Sequence, residues 1–326
     1  MWDTLEVAAL NTLMALVQPG QRFFWLFLLV SLVMAIAICL FSLPKGTSEP
    51  AERALESAFP KDIYLHRSAL LDYRYAAINA ILSVLIVVAT GFATVVVTQW
   101  TAAALGGLTG LDATPVEANL AIGLLYAFLA LAAFDTGNFF AHYLQHKVPA
   151  LWEFHKVHHS AEVLTPITVL RMHPIDDMIT GALHALTFGV SNGVFLSLYG
   201  GPVTQVSVLG TNVFFFLYFI SAYHLRHSHL WVMFPKGMRA ILSSPALHLI
   251  HHSKAERHWD KNFAPVFTFW DWLFGTLYQP VAREEFDIGI AAEDTAELQS
   301  VGELYLTPLR KVLRLFGLPL ASSRPV

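Results

Sequence analysis

Residues 118–159 read ANLAIGLLYAFLALAAFDTGNFFAHYLQHKVPALWEFHKVHH. An apolar run passes without interruption into a segment carrying five histidines. About twenty apolar residues in a helix cross the hydrocarbon core of a bilayer, so the run predicts a spanning helix that ends in imidazoles. His142 and His146 stand four apart, and His155, His158 and His159 three to four apart. Those spacings place each set on one helix face. A third set, His248, His251 and His252, repeats the pattern. Buried imidazoles need hydrogen-bond partners or a metal, and three such faces brought together suit iron, zinc or copper. Eight ligands exceed one ion's needs, since zinc takes about four and octahedral iron about six. Two metals are the natural reading.

The whole chain agrees with a membrane setting. Of its 326 residues 55% are hydrophobic and 13% charged, against about 25% charged in soluble domains. The net charge of −4 and the absence of a strong basic stripe argue against nucleic-acid binding. Cys39 is the only cysteine, which excludes an internal disulfide and a thiolate metal site. No basic leader with a cleavage site precedes the first apolar run, so that run is expected to stay.

The fold class expected is all-α: a polytopic membrane helical bundle with a cytoplasmic, histidine-rich di-metal cap. Residues 1–21 suit a short interfacial helix ended by Pro19 and Gly20. Spans are expected at 22–43, 75–98 and 118–140, with a polar connection at 44–74 and a loop at 99–117. Residues 178–199 and 203–222 read as two more apolar helices in a tight hairpin at Gly200, Gly201 and Pro202. That division gives N-terminal membrane helices over 1–117, a core over 118–280 and a tail over 281–326. The tail ends in Tyr305, Leu306, Leu309, Val312, Leu313 and Phe316 with Arg310, Lys311 and Arg314 between them. Such a helix either lies on an anionic membrane surface or packs on the domain. Lys45, Arg53, Lys61, Arg67 and Arg74 mark the 44–74 connection, and eleven Lys and Arg follow residue 222, whereas 99–117 and 200–202 carry none. The positive-inside rule then puts the basic loops and all three histidine sets in the cytoplasm.

A metal-bound imidazole gives its other nitrogen to an acceptor; Asp135, Glu153, Asp176, Asp177 and Asp260 are candidates. The Glu-x-x-His pairs of soluble carboxylate-bridged di-iron bundles do not occur near the clusters. No Ser-His-Asp or Cys-His arrangement appears, nor a GxGxxG or haem-attachment motif. His66, His184 and His258 belong to no motif.

These motifs resemble the fatty acid hydroxylase superfamily, which includes sterol desaturases, sterol methyl oxidases and sphingolipid hydroxylases. Its His-x3-His is matched by His142 and His146, and its His-x2-His-His by His155, His158 and His159 and again by His248, His251 and His252. KNFAPVFTFWDWLFGT at 261–276 resembles the signature that follows. Asp135 sits where the family often has aspartate. Tyr143, where arginine is common, and Ala264, where glycine is usual, are departures. The likeness covers about 120–280 and marks 118–280 as a hydroxylase-like catalytic domain. It implies two further ligands: His173 in RMHP, and His227 in HLRHSH, with His224 or His229 as alternates. It also implies two iron ions (zinc in a purified sample), O2 as co-substrate, a lipid entering from the bilayer, and electrons from a separate cytochrome b5-like, ferredoxin or flavin reductase partner.

The expected function is therefore a membrane di-iron oxygenase hydroxylating a fatty acyl, sterol or related lipid. A desaturase with the same metals is the neighbouring alternative. A metal transporter or non-catalytic metal-binding protein would need ligands along a path through the bilayer, and a haem carrier would need paired histidines within spans; gathering at one face disfavours both.

Overall fold

The computed structural model describes residues 14, 16–109, 119–200 and 203–318. It is mostly helical, and four helices are long and apolar enough to cross a membrane. These are α1 (Trp25–Ser42), α3 (Arg67–Thr109), α4 (Leu120–Lys147) and α6 (Pro174–Tyr199). A short helix, α2 (Pro50–Ala58), lies in the first connection. The interfacial helix expected at 1–21 falls mostly outside the described residues, as does part of the 99–117 loop.

α3 differs most from the reading of the sequence. It is one helix of 43 residues, roughly 65 Å long, against a hydrocarbon core of about 30 Å. Its first two turns, with Ser68 and Asp72, belong to the polar connection expected at 44–74, and Tyr75 and Asn79 to the start of the span expected at 75–98. All four are buried. Asp72 accepts from Arg171 and from Thr168, each at 2.7 Å. Asn79 and Tyr75 both donate to the Met172 carbonyl, at 2.7 and 3.2 Å. Sequence polarity marks solvent or a buried partner equally well, and here it is the partner.

α3 and α6 run parallel and pack closely, because α6 turns three glycines toward α3. Gly181 meets Thr90, Gly189 meets Val97 and Gly193 meets Thr101; a Cβ on Gly189 would sit 2.5 Å from the Val97 Cβ. Small residues four apart allow this approach. α4 runs antiparallel to α6, and Gly137 leaves room for His184 and Thr187. The Asn119 side chain caps α4 by accepting from the Ile122 amide. Pro149, the first residue of α5 (Pro149–His159), turns the chain at the other end. α5 therefore starts beside the last turns of α4, and their histidines face one another.

The second helix of the expected hairpin does not form. Gly200, left-handed at φ 64°, ends α6. The chain then makes a two-stranded hairpin, β1 (Ser207–Val208) with β2 (Thr211–Asn212), turning through Leu209 and Gly210 at positive φ. Only eight residues become helical, in α7 (Val213–Ile220). Asn212 starts α7 by accepting from the Phe214 and Phe215 amides, and its amide donates to the Ala127 carbonyl of α4. Hence this apolar segment returns alongside α4 without being a spanning helix. Irregular backbone is tolerated there because protein groups satisfy its polar atoms.

Residues 223–318 form the cap over the α4–α5 corner. It holds α8 (Pro245–His251), α9 (Phe269–Leu273) and α10 (Val301–Leu315). In the tail, α10 packs on the domain. Leu304 and Tyr305 dock it: Leu304 is buried, Tyr305 donates to Asn79 and its ring lies 4.8 Å from that of Tyr75. Leu306, Leu309, Leu313 and Phe316 remain exposed along the other edge.

Candidate metal centre

Four elements deliver the histidines. His142 and His146 lie on the last turns of α4, and His155, His158 and His159 on α5. His248 and His251 lie on α8, with His252 at its C-cap. His227 follows a single 3-10 turn, Tyr223–Leu225. The structure sorts these nine into two groups. His142, His146, His155, His159 and His251 form the first; His158, His227, His248 and His252 form the second. Within each, one nitrogen per ring lies within 4.8 Å of all the others. The groups adjoin, with the His159 and His252 rings 4.6 Å apart.

Hydrogen bonds fix most tautomers in the first group. His142 donates through Nδ1 to the Phe263 carbonyl (2.9 Å), and His251 to the Lys261 carbonyl (2.7 Å). His155 donates through Nδ1 to Asp176 (2.9 Å), and His146 to Asp260 (3.3 Å). A carbonyl or carboxylate can only accept here, so the proton sits on Nδ1 and Nε2 is a bare lone pair. These Nε2 atoms converge: His146 and His251 approach His159 Nε2 at 3.2 and 3.1 Å. The Nε2 atoms of His142 and His155 are buried with no hydrogen-bond partner. In the second group, His227 Nε2 lies 3.2 Å from His158 Nε2 and 2.8 Å from His248 Nε2. Lone pairs packed this closely repel unless a shared cation or protons lie between them.

Protonating these rings to imidazolium is a poor answer at neutral pH. Burial pushes His155 down to about 3. Burial first, and neighbouring histidines second, hold His158, His159 and His252 well below the usual imidazole range. Burial lowers His227, His248 and His251 likewise. The rings are neutral at pH 7, as ligands must be. Orphaned nitrogens, fixed tautomers and an all-nitrogen donor set fit two borderline divalent metals.

Of the ten ligands expected, His173 alone stands outside both groups. Its Nδ1 accepts from the Ile175 amide and caps α6, while Nε2 donates to the Tyr305 carbonyl. A motif position cannot reveal that a helix start consumes its ring. His227 joins the second group, whereas its alternates do not: His229 donates to the Ser57 carbonyl, and His224 is buried against Phe23, away from both groups. His66 accepts from the Ser68 amide, His184 contacts Asn138 and His258 contacts Glu284.

Among the acceptor candidates, Asp176 and Asp260 reach histidines. Asp135 instead accepts from the Val266 and Phe267 amides, pinning the cap to α4. Glu153 pairs with Lys156, and among the described residues no hydrogen bond joins Asp177 to a histidine. Sequence reasoning assigned no role to Asn262, Asp271 or Arg226. The first two lie in the 261–276 stretch, whose resemblance to a signature was the available signal. Asp271 accepts from the Phe263 and Ala264 amides and holds the loop whose carbonyls receive His142 and His251. Ala264 fits fully buried.

Fold and site together define a helical membrane protein with two largely buried polyhistidine groups at one end of the bundle, each able to hold a metal ion. Residues 127–276 match the model of the fatty acid hydroxylase family. The chain is 30% identical over 183 residues to an ornithine lipid hydroxylase of Rhizobium tropici, covering 56% of this chain and 48% of that one. It is 28% identical over 150 residues to alkylglycerol monooxygenase of Danio rerio (46% and 30% covered). Human cholesterol 25-hydroxylase is 32% identical over 166 residues (50% and 55%). The chain thus spans about half the length, or less, of these curated relatives. Through that region it is similar to the fatty acid hydroxylase family. No solved structure matches it.

Proposed function

We propose that the protein is a membrane-bound lipid hydroxylase using two irons, O2 and electrons from a separate carrier. The carrying observation is the pair of adjoining polyhistidine groups, buried and neutral, at the end of apolar helices. Nine histidines would hold the metals: His142, His146, His155, His159 and His251 one, and His158, His227, His248 and His252 the other. Iron bound there would supply O2 activation for attack on an unactivated C–H bond, which acid–base side chains cannot accomplish. The chain contributes fixed lone pairs, burial that keeps water away, and an apolar approach. A recess of about 910 Å³ is lined by Phe128, Ala132, Thr136, Phe267, Trp270 and Trp272. A second, of about 430 Å³, opens between α4 and α6 and shares Ala132 and Thr136. Thr136, which lines both, precedes His142 by six residues, about 9 Å along the helix. A lipid tail entering from the bilayer suits them. Positive-inside sidedness puts the site in the cytoplasm, where a cytochrome b5-like, ferredoxin or flavin carrier could reach it.

The relatives' names favour hydroxylation over desaturation. Expression in a lipid-producing host under ¹⁸O₂, followed by lipid mass spectrometry, tests the reading. A labelled oxygen in a lipid, absent with His251→Ala, is the expected result. An added double bond without label would make the enzyme a desaturase, and no altered lipid from a metal-loaded, folded protein would remove the oxygenase reading.

A further inference from the structure

The two histidine groups differ in what stands behind their rings. In the first group four of five rings give Nδ1–H to an oxygen, and three of those oxygens come from one short loop. Asp260 receives His146, the Lys261 carbonyl receives His251, and the Phe263 carbonyl receives His142. The loop is held in an unusual shape, with Asp260 and Asn262 in the left-handed region at φ 57° and 60°, which aspartate and asparagine adopt more readily than other non-glycine residues. Asn262 fixes it by donating to the Leu247 carbonyl (3.2 Å) and accepting from the Tyr278 amide (2.8 Å). Asp271 fixes its far end through the Phe263 and Ala264 amides. The fourth oxygen is Asp176, behind His155.

The second group has no such backing. His158 Nδ1 and His252 Nδ1 are buried without a hydrogen-bond partner among the described residues. His248 Nδ1 faces the Arg226 guanidinium at 3.3 Å, and that guanidinium is pinned by Tyr218 and the Pro265 carbonyl at 2.8 and 2.7 Å. An oxygen acceptor orients an imidazole and raises the basicity of its metal-binding nitrogen. A guanidinium in that place can only donate, so His248 Nδ1 accepts and the neutral ring keeps its proton on Nε2, which opposes metal binding there.

We propose that the two metals are held unequally: the five-histidine group is a tight site, the four-histidine group an exchangeable one, and Asp260 with its loop is the positioning element that sets the difference. The inference rests on the reading of these groups as metal sites.

The test uses the full chain in detergent, loaded with Zn²⁺ and mixed with excess 4-(2-pyridylazo)resorcinol, a chelator that colours on taking zinc. Two equivalents should leave in two phases with rates at least about tenfold apart. His252→Ala should delete the fast phase and His155→Ala the slow one. Asp260→Asn keeps a residue suited to the left-handed backbone, at a side chain 43% exposed, and replaces the carboxylate with a weaker acceptor. It should speed the slow phase about 10–100-fold and leave the fast phase unchanged. One common release rate, a slow phase indifferent to Asp260→Asn, or loss of the slow phase in His252→Ala would overturn the inference. Wild-type protein that takes up no zinc would overturn the metal reading beneath it, a failure distinguishable from these.

Discussion

Arg171 and Asp72 form a fully buried ion pair, with side chains 1% and 0% exposed and 2.7 Å between them. The pair ties α3 to the helix bearing three of the histidines. Arg171 also donates to the Val157 carbonyl (2.8 Å) and the Ser160 hydroxyl (2.7 Å) at the end of α5. Asp72→Ala would leave the guanidinium without its countercharge and Thr168 without its acceptor. Removing one partner of a buried pair costs about 3–5 kcal/mol. Because Arg171 keeps two good acceptors, we expect the lower end, about 3 kcal/mol. At roughly 2 °C per kcal/mol for a chain this long, the unfolding midpoint should fall by about 6 °C. Asp72→Leu combined with Arg171→Met should lie within about 1–2 kcal/mol of wild type, since apolar replacement of a buried pair is often neutral. The Val157 carbonyl then still accepts from the Ser160 hydroxyl. Thermal unfolding in detergent of the wild type, Asp72→Leu, Arg171→Met and the double variant completes the cycle. Additive losses, with the double variant as poor as the sum of its parts, would refute the argument that the charges matter to each other.

Three further outcomes follow from the same geometry. His155→Ala and His251→Ala should each lose metal and at least about 100-fold of turnover, whereas His184→Ala, outside both groups, should keep the full metal content measured by elemental analysis. Reporter fusions after residue 108 and at the C-terminus should report opposite sides of the membrane; the same side for both would contradict the sidedness proposed. The metal-free protein should lose stability as pH falls below about 6.5. The buried histidines titrate lower when folded, His155 at about 3, so the unfolded chain binds more protons there; their contribution is present above the unfolded pKa and shrinks below it. Denaturant titrations at pH 7.5 and 5.5 measure this, and a flat profile would mean the histidines are not buried neutral.

What the sequence determined by itself is local or compositional. An apolar excess with few charges requires a lipid setting, and histidines three and four apart share a helix face whatever surrounds them. Hence the helical membrane class and three histidine sets were legible, as was the family likeness carried by 142–159 and 248–276. Pairing between distant segments was not. Asp72 looks like part of a solvated connection until Arg171 and Thr168 are seen against it, so only the tertiary structure extends α3 to 43 residues. Residues 203–222 are apolar enough for a span, but Asn212 finds the Ala127 carbonyl and cuts the helix to eight residues. His173 carries the right side chain at an expected position, yet its nitrogens are taken by a helix start and by Tyr305. The division of nine histidines into five and four rests on where α4, α5, α8 and the 227 loop converge. That convergence is set by long-range packing and hydrogen bonds, which leave no period in a single sequence to read.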